Sequence, residues 1–157
     1  MRPTERARTE ASDAVADRPM PRFDLPSPDR DTQPFWDGCR DHRLLVKRCG
    51  ACGAVFHYPR PFCPRCWSED VAWIEASGRG TVYTYSIVHQ NDLPPWPSKT
   101  PYVAAIVELA EGPRIMTNVV DCDHDALTVG LPVEVVFEER TEEVTVPVFR
   151  PLPAAGD

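Results

Sequence analysis

The sequence predicts a mainly β chain in two modules: a short helix with a cysteine-rich ribbon, then a small closed barrel of five strands. Three observations predict it. Four of the six cysteines stand as two Cys-x-x-Cys pairs within CGACGAVFHYPRPFCPRC, residues 49–66. Five short runs rich in Val, Ile, Thr and aromatics follow, with turn residues between them and no long helix. Charge is also divided. Arg40, Arg43, Lys47, Arg48, Arg60 and Arg65 meet only Asp41 in their stretch, whereas from Cys66 onward 15 acidic residues face 5 basic ones.

Residues 1–31 are charged and broken by Pro3, Pro19, Pro21, Pro26 and Pro28. Such a segment buries too little apolar surface to offset its ordering entropy, so a disordered tail is expected, with only Phe23 and Leu25 suited to a partner. It holds no apolar run that reads as a signal peptide, and no stretch of the chain is long and apolar enough to cross a membrane. A reducing cytoplasm is therefore the expected compartment, where paired cysteines more often bind metal than cross-link. The net charge of -7 argues against bulk attraction to nucleic acid.

A helix is expected over about 33–42, capped by Thr32, with Phe35, Trp36 and Cys39 on one face and Gly38 as a weak point. His42 falls at its end, and Leu44 to Lys47 reads as a strand into the first cysteine pair. Helix and ribbon occupy 32–68. The barrel follows over 69–151, with strands expected at 80–89, 102–110, 114–120, 132–139 and 144–150, and a loose tail over 152–157. Val133, Val135 and Phe137 alternate with Glu134 and Glu138, and Tyr83, Tyr85 and Ile87 share one face of their strand. NDLPPWPSKTP (91–101) is too long and Pro-rich for a tight hairpin, and Trp96 on it suits a partner contact.

A Cys-x-x-Cys turn brings two sulfurs to one side of a tight loop. Two such turns, at Cys49, Cys52, Cys63 and Cys66, close a tetrahedron of thiolates around Zn²⁺. Gly50 and Gly53 suit the positive φ of the first turn, and Phe56, Tyr58 and Phe62 are expected to pack around the site. His57 lies within the loop as a competing ligand. Four thiolates leave a local charge that Arg48, Arg60 and Arg65 offset. A shell filled by four soft ligands is structural, whereas catalytic zinc keeps an open position. Iron in the same ligand set would instead make an electron carrier.

The runs FWDGCRDHRLLVKRCGACGAVFHYPRPFCPRC, SGRGTVYTYSIVH, TPYVAAIVELAEGPRIMTNVV and VGLPVEVVFEE together resemble the zinc-ribbon OB-fold proteins of acyl-CoA metabolism. The resemblance covers about 32–151. It implies an N-terminal helix, a rubredoxin-like zinc ribbon and a five-stranded OB-fold barrel. It also implies a non-catalytic accessory subunit that binds or positions the CoA part of acyl-CoA substrates of lipid metabolism. The partner would be a thiolase-like acyltransferase, an aldolase or a hydratase. By resemblance Cys49, Cys52, Cys63 and Cys66 match the metal ligands. Trp67 departs from the pattern, which commonly has Gly there. CoA is a compact polyanion and arginine forks suit its phosphates, so Arg48, Arg60 and Arg65 are candidate CoA contacts.

Two other functions compete: a rubredoxin-like iron electron carrier, and a single-stranded nucleic-acid binder using Tyr83 and Tyr85 as stacking platforms. The acidity of the barrel half opposes the second. No Gly-x-Ser-x-Gly or His-Glu-x-x-His motif is present. DCDHD (121–125) sets Cys122 beside acids that disfavour its thiolate, and it reads as a turn. His89 ends a strand and Cys39 packs in the helix.

Overall fold

The structure, a computed structural model, describes residue 22 and residues 24–153. Residues 1–21, Phe23 and residues 154–157 lie outside the described residues, and with them most of the tail expected over 1–31 and part of that over 152–157.

Helix α1 (Gln33–Arg40) opens the fold. Thr32 stands at its N-cap, but its side chain does not cap the helix. Its Oγ1 instead donates to Asp29 Oδ1 at 2.7 Å, which folds the preceding turn. Gly38 is less a weak point than a seat. A Cβ there would come within 2.8 Å of Leu45 Cγ, so glycine lets the helix lie close against the next strand. His42 follows the helix at φ 57 and stacks on Phe137.

Strands β1 (Leu45–Cys49), β2 (Val55–Phe56) and β3 (Val71–Glu75) form an antiparallel sheet in the order β2-β1-β3. β3 lies on the barrel side of the division expected at 68/69, yet it pairs along the whole of β1, from Leu45↔Glu75 to Cys49↔Val71. Strands β4 (Arg79–Val88), β5 (Tyr102–Leu109), β6 (Arg114–Val119), β7 (Pro132–Glu139) and β8 (Thr145–Pro151) close a barrel in the order β4-β5-β6-β8-β7. This is the five-stranded OB-fold the sequence predicts. β7 closes on β4, and β6 meets β8 in parallel through Val119↔Phe149.

One core runs through all three parts. Phe35 and Cys39 of α1, Leu44 just before β1 and Val46 within it, and the barrel interior (Val82, Val103, Val107, Val133, Phe149) are buried in one cluster. Burial pushes the Cys39 thiol up to about 12, so it behaves as a small apolar side chain. The ribbon's own cluster is small: Cys49, Phe56 and Cys63, with Ala54 and Val71 against them.

One expectation about the barrel fails. Tyr83 does not share a face with Tyr85 and Ile87. The β4–β5 register shifts between Val82 and Thr84, a bulge that shifts the inward phase by one residue. Val82 points in before it, and Tyr85 and Ile87 pack on the core after it, leaving Tyr83 outside. Tyr85 donates its hydroxyl to the Leu127 carbonyl at 2.8 Å, so it is a core residue rather than a stacking platform.

Candidate metal centre and the adjoining cleft

The two Cys-x-x-Cys turns are copies of one knuckle. Gly53 N–H donates to the Cys49 carbonyl and Trp67 N–H to the Cys63 carbonyl, each at 2.9 Å. The residue after each second cysteine takes a left-handed backbone: Gly53 at φ 73 and Trp67 at φ 64. A tryptophan thus occupies the strained position that glycine occupies in the first turn. Gly50 serves differently from expectation. Its φ is not positive; rather, a Cβ there would meet Asp70 Oδ2 at 2.1 Å, so the position needs space.

The knuckles bring the sulfurs of Cys49, Cys52, Cys63 and Cys66 within 4.8 Å of one another. Cys49 Sγ lies 3.6 Å from Cys66 Sγ, and Cys52 Sγ 3.7 Å from Cys63 Sγ. A tetrahedron with metal–sulfur bonds of about 2.3 Å has edges of about 3.8 Å, so these spacings fit one ion. Proton competition points the same way. Burial raises the Cys63 thiol, but the N–H groups of Arg65 and Cys66 and the Cys52 and Cys49 thiols bring it down to about 7. The Ser68 N–H favours the Cys66 thiolate, but Cys52, burial, Cys49 and Cys63 push it up to about 12. With the Cys63 proton easily lost and the Cys66 proton held, the cluster is a donor set that a dication would complete.

His57 is not part of this group. Its ring packs edge-on against Phe35 and beside Tyr58, and burial lowers its pKa to about 4, so it is neutral at pH 7. Its Nδ1 is buried without a hydrogen-bond partner. Of the aromatics expected around the metal site, Phe56 is there, Phe62 stacks on the exposed Trp67, and Tyr58 turns away, 62% exposed.

Arg48, Arg60 and Arg65 are exposed and make no ion pair among the described residues. They do not converge on one point. Arg48 lies on β1, Arg65 within the second knuckle, where its N–H donates to Cys63 Sγ at 3.4 Å, and Arg60 beside Arg114 in a crevice between ribbon and barrel.

A cleft of about 320 Å³ opens between α1, the ribbon and the barrel. Trp36, His57, Tyr58, Trp96, Met116 and Val148 are among its walls. Asp24 borders it too, its carboxylate held well below the usual range by hydrogen bonds from Arg22. Trp96 does not project from its loop. It is half-buried, sits in a 3₁₀ turn (Trp96–Lys99) and packs on Tyr102 with ring centroids 4.7 Å apart. Cys122 and His124 border a second hollow beneath the same loop, and burial followed by Asp123 and Asp121 raises the Cys122 pKa. His89 is exposed just past β4. The sequence reading missed Met116, which is 71% exposed. The alternation of RIMTNVV held the signal, since Ile115 points inward and places Met116 outward.

Fold and site together define a four-cysteine ribbon mounted on an OB barrel. Comparison with known proteins narrows this. Residues 36–72 match the ChsH2 rubredoxin-like zinc ribbon domain, and residues 73–138 match the ChsH2 C-terminal OB-fold domain. The chain belongs to the ChsH2/DUF35 family of zinc-ribbon OB-fold proteins. It is 41% identical over 101 residues to a DUF35 domain-containing scaffold protein of Methanocaldococcus jannaschii, covering 64% of this chain and 71% of that protein. It is 38% identical over 147 residues to a probable enoyl-CoA hydratase alpha subunit of Thermomonospora curvata. That match takes in 93% of this chain but only 45% of the relative, so this chain spans less than half of the hydratase subunit's length. A solved structure, the Ltp2-ChsH2(DUF35) aldolase, superposes with a TM-score of 0.73 at 40% identity, over 80% of this chain and 98% of that one.

Proposed function

We propose that the chain is a non-catalytic accessory subunit that binds or positions the CoA part of an acyl-CoA for a partner enzyme, a thiolase-like acyltransferase, an aldolase or a hydratase. The observation that carries this is the closed metal centre. Four sulfurs within 4.8 Å of one another would fill a tetrahedral shell and leave no position for water or substrate, so an ion held there would brace the ribbon rather than react. Cys49, Cys52, Cys63 and Cys66 would hold Zn²⁺, which when bound supplies structural cross-linking only. The names of the relatives support the reading, because they describe scaffolds and subunits of acyl-CoA enzymes.

Arg60 and Arg65 are the residues best suited to meet CoA phosphates, being exposed and without ion pairs among the described residues; Arg48, on β1, is the third candidate. Trp96 contributes to the partner contact as a wall of the cleft rather than as a projecting anchor. The test uses the chain purified with the enzyme subunit that accompanies it. Metal analysis should give one zinc per chain and a colourless sample; iron would make it an electron carrier instead. The complex should bind acyl-CoA, and the double variant Arg60→Glu, Arg65→Glu should weaken that binding at least ten-fold with zinc content unchanged. Turnover of a thioester by the isolated chain at an ordinary enzymatic rate would overturn the reading.

A further inference from the structure

Three of the six large exposed apolar side chains among the described residues, Tyr58, Tyr83 and Met116, lie along one strip. Tyr58 and Met116 stand on the same cleft, one from the ribbon and one from β6, and both are largely exposed. Two residues before Met116 on the same strand, Arg114 lies with its guanidinium carbon 3.4 Å from the centre of the Tyr83 ring, fixed further by Glu108 at 2.8 Å. Arg114 in turn shares the ribbon–barrel crevice with Tyr58 and Arg60. The result is one band, Met116–Tyr58–Arg60–Arg114–Tyr83, that crosses from barrel to ribbon and ends at an apolar hollow. Its members are the residue types enriched at protein interfaces, Tyr, Arg and Met, without lysine.

The bulge in β4 is part of this arrangement. Tyr83 follows the inward Val82 and is the extra residue of the bulge, so its ring stays outside while Tyr85 and Ile87 return to the core. A bulge costs regular pairing, and here it sets an aromatic ring in solvent beneath an arginine. Neither the barrel interior nor the metal centre uses Tyr83.

Charge decides what fits. Arg114 is already paired with the half-exposed Glu108, so the free charge that the band offers outward is that of Arg60, on a chain with net charge -7 whose barrel half is strongly acidic. Arg60 has no ion pair among the described residues. An acidic surface is therefore drawn to this strip and repelled by its surroundings, which fixes orientation as well as place.

We propose that this band is the docking face for the partner enzyme. The occupant is a surface segment of an acyl-CoA-processing subunit that sets an acid-flanked apolar side chain between Tyr58 and Met116, with Arg60 itself left to the CoA phosphate. The inference rests on the accessory-subunit reading and adds the surface and the chemistry of the contact. A hollow of about 320 Å³ takes one large side chain. The rigid Tyr83–Arg114 pair gives contact area at small ordering cost.

The test uses the full chain expressed with a tag in its native host. p-Benzoylphenylalanine replaces Tyr58, Met116 or, outside the band, Val129, which is also exposed. After irradiation, cross-linked peptides are sequenced by mass spectrometry. Positions 58 and 116 should cross-link to an acid-flanked apolar segment of an acyl-CoA enzyme subunit, and position 129 should not. In parallel, Met116→Asp should cut the co-purified subunit at least ten-fold, Tyr58→Ser several-fold, and Val129→Asp not at all. Metal content and the thermal transition should stay unchanged, which separates lost docking from lost folding. If the subunit co-purifies equally with Met116→Asp, the band is not the docking face. Cross-links from 58 and 116 only to a second copy of this chain would make it a self-association surface and overturn the proposal. If the unmodified chain brings down no enzyme subunit, the accessory-subunit reading fails and this face fails with it.

Discussion

Removing the metal should open the ribbon and leave the barrel closed. The reasoning starts from two unequal cores. Between Cys49 and Val71 the buried apolar side chains are Phe56, Cys49 and Cys63, with Ala54 and Val71 half-buried beside them. Full burial of one phenylalanine contributes about 3 kcal/mol, and the small neighbours add about 1 kcal/mol. Metal binding to a four-ligand ribbon contributes about 10–16 kcal/mol at neutral pH, so the ion supplies the larger share. β1 and β3 differ from the knuckles. Val46, Trp73 and Ile74 belong to the large cluster that fills the barrel, and these strands should stay paired without metal. The assay is hydrogen exchange followed by mass spectrometry, before and after chelation, with the ion quantified in the same samples. Peptides covering 50–69 should lose nearly all protection, whereas those covering 103–109 and 145–149 should keep theirs. A variant with all four cysteines replaced by serine should behave like the chelated chain. Retained protection over 50–69 in a metal-free sample would refute the argument, and so would cooperative loss of the barrel.

Three further outcomes follow from the geometry. Trp67→Gly should be more stable than Trp67→Ala by about 1 kcal/mol, since both lose the stack on Phe62 but glycine alone relaxes the left-handed φ; equal urea midpoints would show that the turn is unstrained. Gly80→Ala should cost about 2 kcal/mol by overpacking, because its Cβ would sit 2.5 Å from the Glu108 carbonyl oxygen, and a lower urea midpoint with an unchanged slope is the readout. His57 is held neutral by burial at a folded pKa of about 4, below its unfolded value. The unfolded chain therefore binds the proton first, and up to about 3 kcal/mol of stability is lost as pH falls from about 6.5 through 4. His57→Gln should flatten that part of the stability profile, and an unaltered profile would show that the histidine is not the cause.

Much of this was legible in the residues. The paired cysteines gave the knuckles, and the Val-rich runs gave all five barrel strands within a residue or two, because spacing and period-two alternation are local signals. What escaped was non-local. The Ser-Gly-Arg-Gly-Thr-Val entry carries two glycines with different causes: Gly78 takes φ 74 against Val135, and Gly80 makes room for the β5 backbone. Neither cause is visible without the neighbouring strands. The slip at Tyr83 leaves no compositional trace, so alternation alone assigned the tyrosine to the wrong face. β3 reads as a short apolar stretch, and only its partner β1 shows which module it serves. The cleft draws Trp36, His57, Trp96 and Met116 from four distant stretches, which no motif connects.

The barrel's closure has a thin seam. β6 and β8 run parallel and meet in register only at Val119 and Phe149, and Pro147 offers no amide to extend the ladder. The other strand neighbours are stitched over three or more positions. Thermal breathing should begin at that joint, whose edges also floor the hollow beside α1. Whatever settles there clamps the barrel's loosest stave and becomes, in mechanical terms, a splint for it.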